Sequence, residues 1–161
     1  MHLYFLRHGD AVESPYYHDT QRPLSDLGKR QIQGVTHFLQ GTKTIIELIL
    51  TSPFVRARET GEIIRYGLQT PSLLTTDALV SGGNLRELLA AVNNQRAESM
   101  LLVGHEPQLS SAISVLTGGD EHFRLEMKKG SLARIETPFP VKKGHAVLSW
   151  LLTATQMESI R

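Results

Sequence analysis

The amino terminus of the chain, from Met1 to Ala11, limits the fold more than any other stretch. Its apolar run, Leu3-Tyr4-Phe5-Leu6, is short enough to be a buried strand, and it gives way abruptly to Arg7-His8-Gly9-Asp10. A histidine and an arginine therefore stand at a strand's carboxyl end. Open α/β sheets bind ligands in the crevice outside those ends, so Arg7 and His8 are site candidates by position alone. Gly9, without a side chain, is expected to let a ligand approach the backbone there.

The same hand-over recurs twice. Ile45 to Thr51 reads as a second buried strand ending in Ser52-Pro53, with Ser52 expected to cap the next helix and Pro53 to occupy its first position. Arg56 then falls in the first helical turn, where a guanidinium and free backbone N–H groups together favour phosphate. Arg58 lies two residues on and cannot share that face, so it is read as a solvent-facing charge. Met100 to Val103 is the clearest strand, and Gly104-His105-Glu106-Pro107 ends it.

Helical patterns fill the intervals. Ser25 is placed to cap a helix in which Leu27, Gln31, Ile32, Val35, Phe38 and Leu39 recur at helical spacing until Gly41. It follows a polar loop, Val12 to Gln21, that carries two tyrosines and His18. Leu73 and Leu74 suggest a short strand, and Asp77 to Gly83 a loop. Asn84 and Glu87 form a possible capping box ahead of Leu85, Leu88, Leu89 and Val92. Leu109, Ile113 and Leu116 make a further helix, stopped by Gly118-Gly119. Beyond it Phe123, Leu125 and Met127 alternate, and strands are expected at Leu132 to Glu136 and His145 to Leu152. Short strands without intervening helices imply an antiparallel edge on a mainly parallel sheet.

At 161 residues there is room for one domain with a full core, spanning 1–161. Seventeen basic against 16 acidic side chains leave a net charge of +1, which provides no broad footprint for nucleic acid or an anionic membrane. Any anion must be bound locally. The absence of cysteine excludes disulfides, thiolate metal sites and cysteine nucleophiles. No apolar run approaches the ~20 residues needed to span a bilayer, and no signal-type segment opens the chain, so a cytoplasmic location is expected. No histidine pair has ligand spacing on a helix; neither a metal nor another cofactor is expected.

Arg7-His8-Gly9, Leu24-Ser25-x-x-Gly28, Ser52-Pro53-x-x-Arg56-Ala57-x-x-Thr60 and Gly104-His105, in that order, resemble the histidine phosphatase superfamily, the phosphoglycerate mutase-like fold. The short length, Arg7 to Ala11, Arg22-Pro23-Leu24 and the Lys-Lys-Gly-Ser-Leu at 128–132 are similar to the SixA-type protein-histidine phosphatases. This resemblance implies a three-layer α/β/α sandwich. It also implies that His8 attacks phosphorus to form a phosphohistidine, which water hydrolyses without a metal, while Arg7, Arg56 and His105 hold the phosphoryl oxygens. Gly9 and Arg22 are further substrate-contact candidates. Neighbouring guanidinium groups should depress the pKa of His8 and keep it nucleophilic.

Relatives that cleave phosphate esters carry an acid in a segment resembling residues 77–83, where this chain has Ala78 and Leu79. Asp10, Asp77 and Glu106 remain as candidates for that role. An imidazole leaves more readily than an alkoxide, and a short chain leaves its site open, so a phosphorylated histidine on another protein is the expected substrate. A histidine-containing phosphotransfer domain is such a partner, met by a monomeric enzyme. The alternatives are a phosphatase or mutase for small phosphate esters and an inactive phosphate-binding module. His2, His18, His37, His122 and His145 are assigned to surface or packing, with His18 on a loop that could reach the site. Lys128, Lys129, Lys142 and Lys143 are assigned to turns.

Overall fold

Strand β1, His2–Arg7, has its four central residues fully covered, as expected of a strand with helices on both faces. The computed structural model describes residues 1–70 and 72–160. Five strands join β1 in one sheet: β2 (Leu48–Thr51), β3 (Ser72–Thr75), β4 (Ser99–Gly104), β5 (Leu132–Glu136) and β6 (Val147–Leu152). Their order is β3-β2-β4-β1-β5-β6. The pairs β2–β3, β2–β4 and β1–β4 are parallel, whereas β1–β5 and β5–β6 are antiparallel. Thus the antiparallel edge read from the sequence is present.

Side chains alternate across the sheet with the period of two that strands impose. Leu3, Phe5, Met100 and Leu102 face one layer, packed with Leu88 and Val92 of α3 (Leu85–Asn93) and Leu109, Ile113 and Leu116 of α4 (Gln108–Gly118). Tyr4, Leu6, Leu101 and Val103 face the other, packed with α1 (Asp26–Gly41), α2 (Val55–Leu68) and α5 (Ala154–Ser159) through Ile32, Val35, Leu39, Ile64 and Met157. The fold is the expected three-layer sandwich. Each buried leucine-sized side chain contributes about 1.5–3 kcal/mol relative to exposure, so the two layers hold the sheet from both sides.

Several local expectations need correction. Leu27 is half exposed, because the buried stripe of α1 begins at Gly28 and Ile32. Ser52 and Pro53 do not cap and open α2; Phe54 is its N-cap residue, without a side-chain cap, and the Ser52 hydroxyl accepts from the Phe54 N–H, outside the helix. Asn84 does cap α3, accepting from the Arg86 N–H. Phe123 to Met127 form no strand, and only Met127 of the three is buried. Ile45 and His145 lie outside their strands. Helix α5 has no counterpart among the elements expected from the sequence, although Thr153 and Gln156 form a capping box at its start.

Candidate active site

The carboxyl ends of β1, β4 and β2 lie side by side, and the register pairs Arg7 with Gly104 and Thr51 with Val103. Consequently the residues just beyond these strands, His8, His105 and Ser52, meet at one edge of the sheet. His8 and His105 border a cleft of about 360 Å³ lined also by Arg7, Arg22, Arg56 and Glu106, with Ala11, Glu13, Asp19, Ser81 and Lys129 completing the wall. Three distant segments are thereby brought together.

His8 is 6 % exposed. Its Nδ1 lies 2.7 Å from the Gly9 carbonyl oxygen, which can only accept, so the ring proton sits on Nδ1. Nε2 accepts from the Arg56 Nε–H at 3.2 Å and therefore carries the lone pair. Burial pushes the pKa of His8 down to about 3, and His105, Arg56 and Arg7 press in the same direction, while the Gly9 hydrogen bond opposes them. The guanidinium groups contribute as expected, but burial is the larger cause.

Arg56, in the first turn of α2, is almost wholly buried. Besides His8 it donates from Nη1 to the Asp19 carbonyl oxygen at 2.6 Å, and from Nη2 to Asp19 Oδ2 at 3.2 Å and His105 Nδ1 at 3.4 Å. Because a guanidinium only donates, His105 Nδ1 accepts, and its proton is on Nε2, which donates to Ser52 Oγ at 2.9 Å. Burial, then Arg56, lowers the His105 pKa to about 4, with Asp19 opposing. Both imidazoles are neutral at pH 7, their centroids 4.8 Å apart.

Arg7 donates from Nη1 to the Met127 carbonyl oxygen at 2.8 Å, while its buried Nε finds no partner among the described residues. Arg22 reaches the cleft but is anchored by Nε to the Val12 carbonyl oxygen at 2.8 Å and by Nη1 to Asp19 Oδ1 at 3.2 Å. Gly9 departs from its expected role. A Cβ there would lie 2.8 Å from the Gly28 carbonyl oxygen, so the missing side chain admits the start of α1, and Gly9 does not line the cleft.

Four participants were not read from the sequence as parts of the site. Asp19 links Arg56 to Arg22 across the loop. Ser52 orients His105. Lys129, assigned to a turn, pairs with Asp10 at 2.6 Å and lines the cleft. Glu13 also lines it. His18, by contrast, stays on the exposed loop beside Thr20. Among the described residues no cluster of ligating side chains suits a metal, and no helix is long and apolar enough to cross a membrane.

A neutral imidazole whose lone pair faces a pocket of cations can attack an electrophilic phosphorus. The profile of the histidine phosphatase superfamily (branch 1) matches residues 3–80, and the chain is 31 % identical over 124 residues to the phosphohistidine phosphatase SixA of Escherichia coli, covering 74 % of this chain and 76 % of that one. The chain belongs to the histidine phosphatase superfamily. Within this superfamily, the structure of SixA complexed with tungstate superposes with a TM-score of 0.86 at 26 % identity, over 96 % of this chain and 98 % of that one. The α-ribazole phosphatase of Shigella flexneri shares the superfamily fold, with a TM-score of 0.75 at 20 % identity over 96 % of this chain and 97 % of that one. Membership of the superfamily implies phosphatase chemistry.

Proposed function

We propose that this protein is a metal-independent phosphohistidine phosphatase that removes the phosphoryl group from a histidine on a partner protein, by way of phospho-His8. The observation that carries this reading is the His8 Nε2 lone pair, fixed by the Nδ1–Gly9 hydrogen bond and set in a cleft walled by Arg7, Arg56 and His105. A nucleophile so prepared has no purpose in a module that only binds phosphate. SixA is the relative whose name specifies phosphohistidine, and the shared length of the two chains supports the same substrate class here.

In the first step the Arg56 Nε–H turns from His8 Nε2 to a phosphoryl oxygen, and the lone pair so released meets phosphorus. Arg56 and the unpartnered Arg7 Nε supply N–H donors to the phosphoryl oxygens, whose charge rises in the transition state. His105 is neutral beside Arg56, and a phosphoryl dianion raises the pKa of an imidazole it touches. Binding therefore favours protonation of His105 Nδ1, which turns an acceptor into a donor. Arg22 steadies the loop that carries Asp19 and is a second contact for the outer oxygens.

The test is turnover of a phosphorylated histidine-containing phosphotransfer domain in the presence of EDTA, with radiolabelled phosphoryl group trapped during reaction. Label on His8, and none on the His8→Ala variant, is the expected result. Failure to hydrolyse any phosphoramidate or aryl phosphate rejects the proposal.

A further inference from the structure

We infer that Asp19 is a built-in competitor for the phosphoryl group: its carboxylate holds the donors of Arg56 and Arg22 in the resting cleft and must be displaced before a substrate binds. The inference rests on the proposed phosphatase reading and deepens it, because it names what the site turns away, free inorganic phosphate. Asp19 opens a short turn, Asp19–Gln21, in the loop that walls the cleft. Its Oδ2 accepts from Arg56 Nη2 and its Oδ1 from Arg22 Nη1, both at 3.2 Å. Two oxygens of one anion thus bridge two guanidinium groups, as two oxygens of a phosphoryl group would.

The bridge is not needed to position Arg56. The Asp19 carbonyl oxygen already accepts from Nη1 at 2.6 Å and His105 Nδ1 from Nη2 at 3.4 Å, and the Arg56 side chain is only 8 % exposed. The Asp19 side chain is 58 % exposed and stands on the same wall as His8. Among the described residues its carboxylate has no hydrogen bond besides the two to Arg56 and Arg22, so turning it out breaks nothing else in the loop. Burial pushes its pKa up, but Arg56 and Arg22 outweigh burial and hold it below the ordinary carboxylate range, so it is charged at pH 7. The other nearby carboxylates are engaged elsewhere: Asp10 with Ser25 and Lys129, and Glu106 with Ser110.

A carboxylate and a phosphoryl dianion compete for the same N–H groups and repel one another, so Asp19 lowers the affinity of the cleft for any phosphoryl group by one factor. Inorganic phosphate has only the cleft to bind and cannot make up that loss. A phosphoryl group mounted on a protein also has the surface around the cleft, and it binds despite the competitor. The product is therefore shed, and free phosphate leaves the cleft open to substrate. Asp19 changes which species occupies the site and takes no part in making or breaking bonds to phosphorus.

The experiment is calorimetric titration of inorganic phosphate into the full chain at pH 7.5, with product inhibition of 4-nitrophenyl phosphate turnover alongside, for wild type, Asp19→Asn, Asp19→Ala and Asp19→Glu. The amide keeps an acceptor for the guanidinium groups and removes the charge, alanine removes both, and glutamate keeps the charge. Asp19→Asn and Asp19→Ala should each bind phosphate tighter by about 10-fold or more, with the inhibition constant falling in step, and Asp19→Glu should stay within about 3-fold of wild type. Phosphate binding that is unchanged or weaker without the charge would make the carboxylate a support for Arg56 and overturn the inference. Equal tightening in Asp19→Glu would also overturn it, by excluding charge as the cause. The phosphatase reading is judged apart, by label on His8: tighter phosphate binding without label keeps the competitor and removes the phosphatase, and label with unchanged phosphate binding does the reverse.

Discussion

At the scale of single residues, the chemistry of His8 comes from where the chain puts it more than from its charged neighbours. Ring-proton shifts of His8 and His105 should stay flat between pH 8 and pH 5 in an NMR titration, because their pKa values are lowered to about 3 and about 4. A transition near 6.5 in either would contradict this. Arg56 donates to four acceptors from a rigid planar fork, which lysine cannot reproduce. Arg56→Lys should therefore lose ~10²- to 10³-fold in kcat, the usual loss for one transition-state donor, with unchanged circular dichroism. His8, Arg7, Arg56 and His105 were legible as cleft residues because each stands where a strand gives way to the next segment, whereas Arg22 was offered only by the family resemblance. Asp19, Ser52 and Lys129 were not legible, since each matters through a partner 37, 53 or 119 positions away. A loop aspartate or a turn lysine carries no local mark of such a pairing.

The elements themselves follow from periodicity and caps. Ser25 caps α1 by accepting from the Gly28 N–H, as its position suggested, and such a cap contributes about 1 kcal/mol. The β5 bounds were read correctly because apolar residues and a glycine turn delimit them. Phe123 to Met127 misled because alternation over so few residues also arises in coil that buries a single side chain. Gly28 shows what holds α1 against the site: a Cβ there would lie 2.0 Å from the Asp10 carbonyl oxygen. Gly28→Ala should cost at least the ~1–3 kcal/mol of overpacking, read as a lower Tm, and should reduce activity by displacing residues 8–10. Gly41→Ala, at the other end of the same helix with nothing within 4 Å of its Cβ, should instead raise stability by about 0.4–1 kcal/mol. Thermal melts of both variants decide the pair; a shared direction of change would refute this account of α1.

For the molecule as a whole, burying two neutral imidazoles makes stability depend on acidity. A histidine that stays uncharged when folded and protonates near 6.5 when unfolded leaves the unfolded chain holding more protons at intermediate pH. Stability should be constant above about 6.5 and decline as pH falls toward 4 and 3, where the folded forms protonate too. Urea melts at pH 7.5 and 4.5 should show the decline, and it should be shallower in His8→Asn; equal slopes would refute the linkage. The class of fold was legible in the strand and helix patterns, but the order of strands was not. Nothing local in Met100 to Val103 says that β4 enters between β1 and β2, and that placement joins His105 to His8.

The paired ends of β1 and β4 have a consequence for how the protein fails. Arg7 and Gly104 are neighbours in one continuous ladder, so His8 and His105 follow directly from two paired central strands. Warming cannot loosen this mounting piecemeal while the frame survives. Catalysis and secondary structure should disappear together at a single temperature, leaving no interval in which an intact shell is silent.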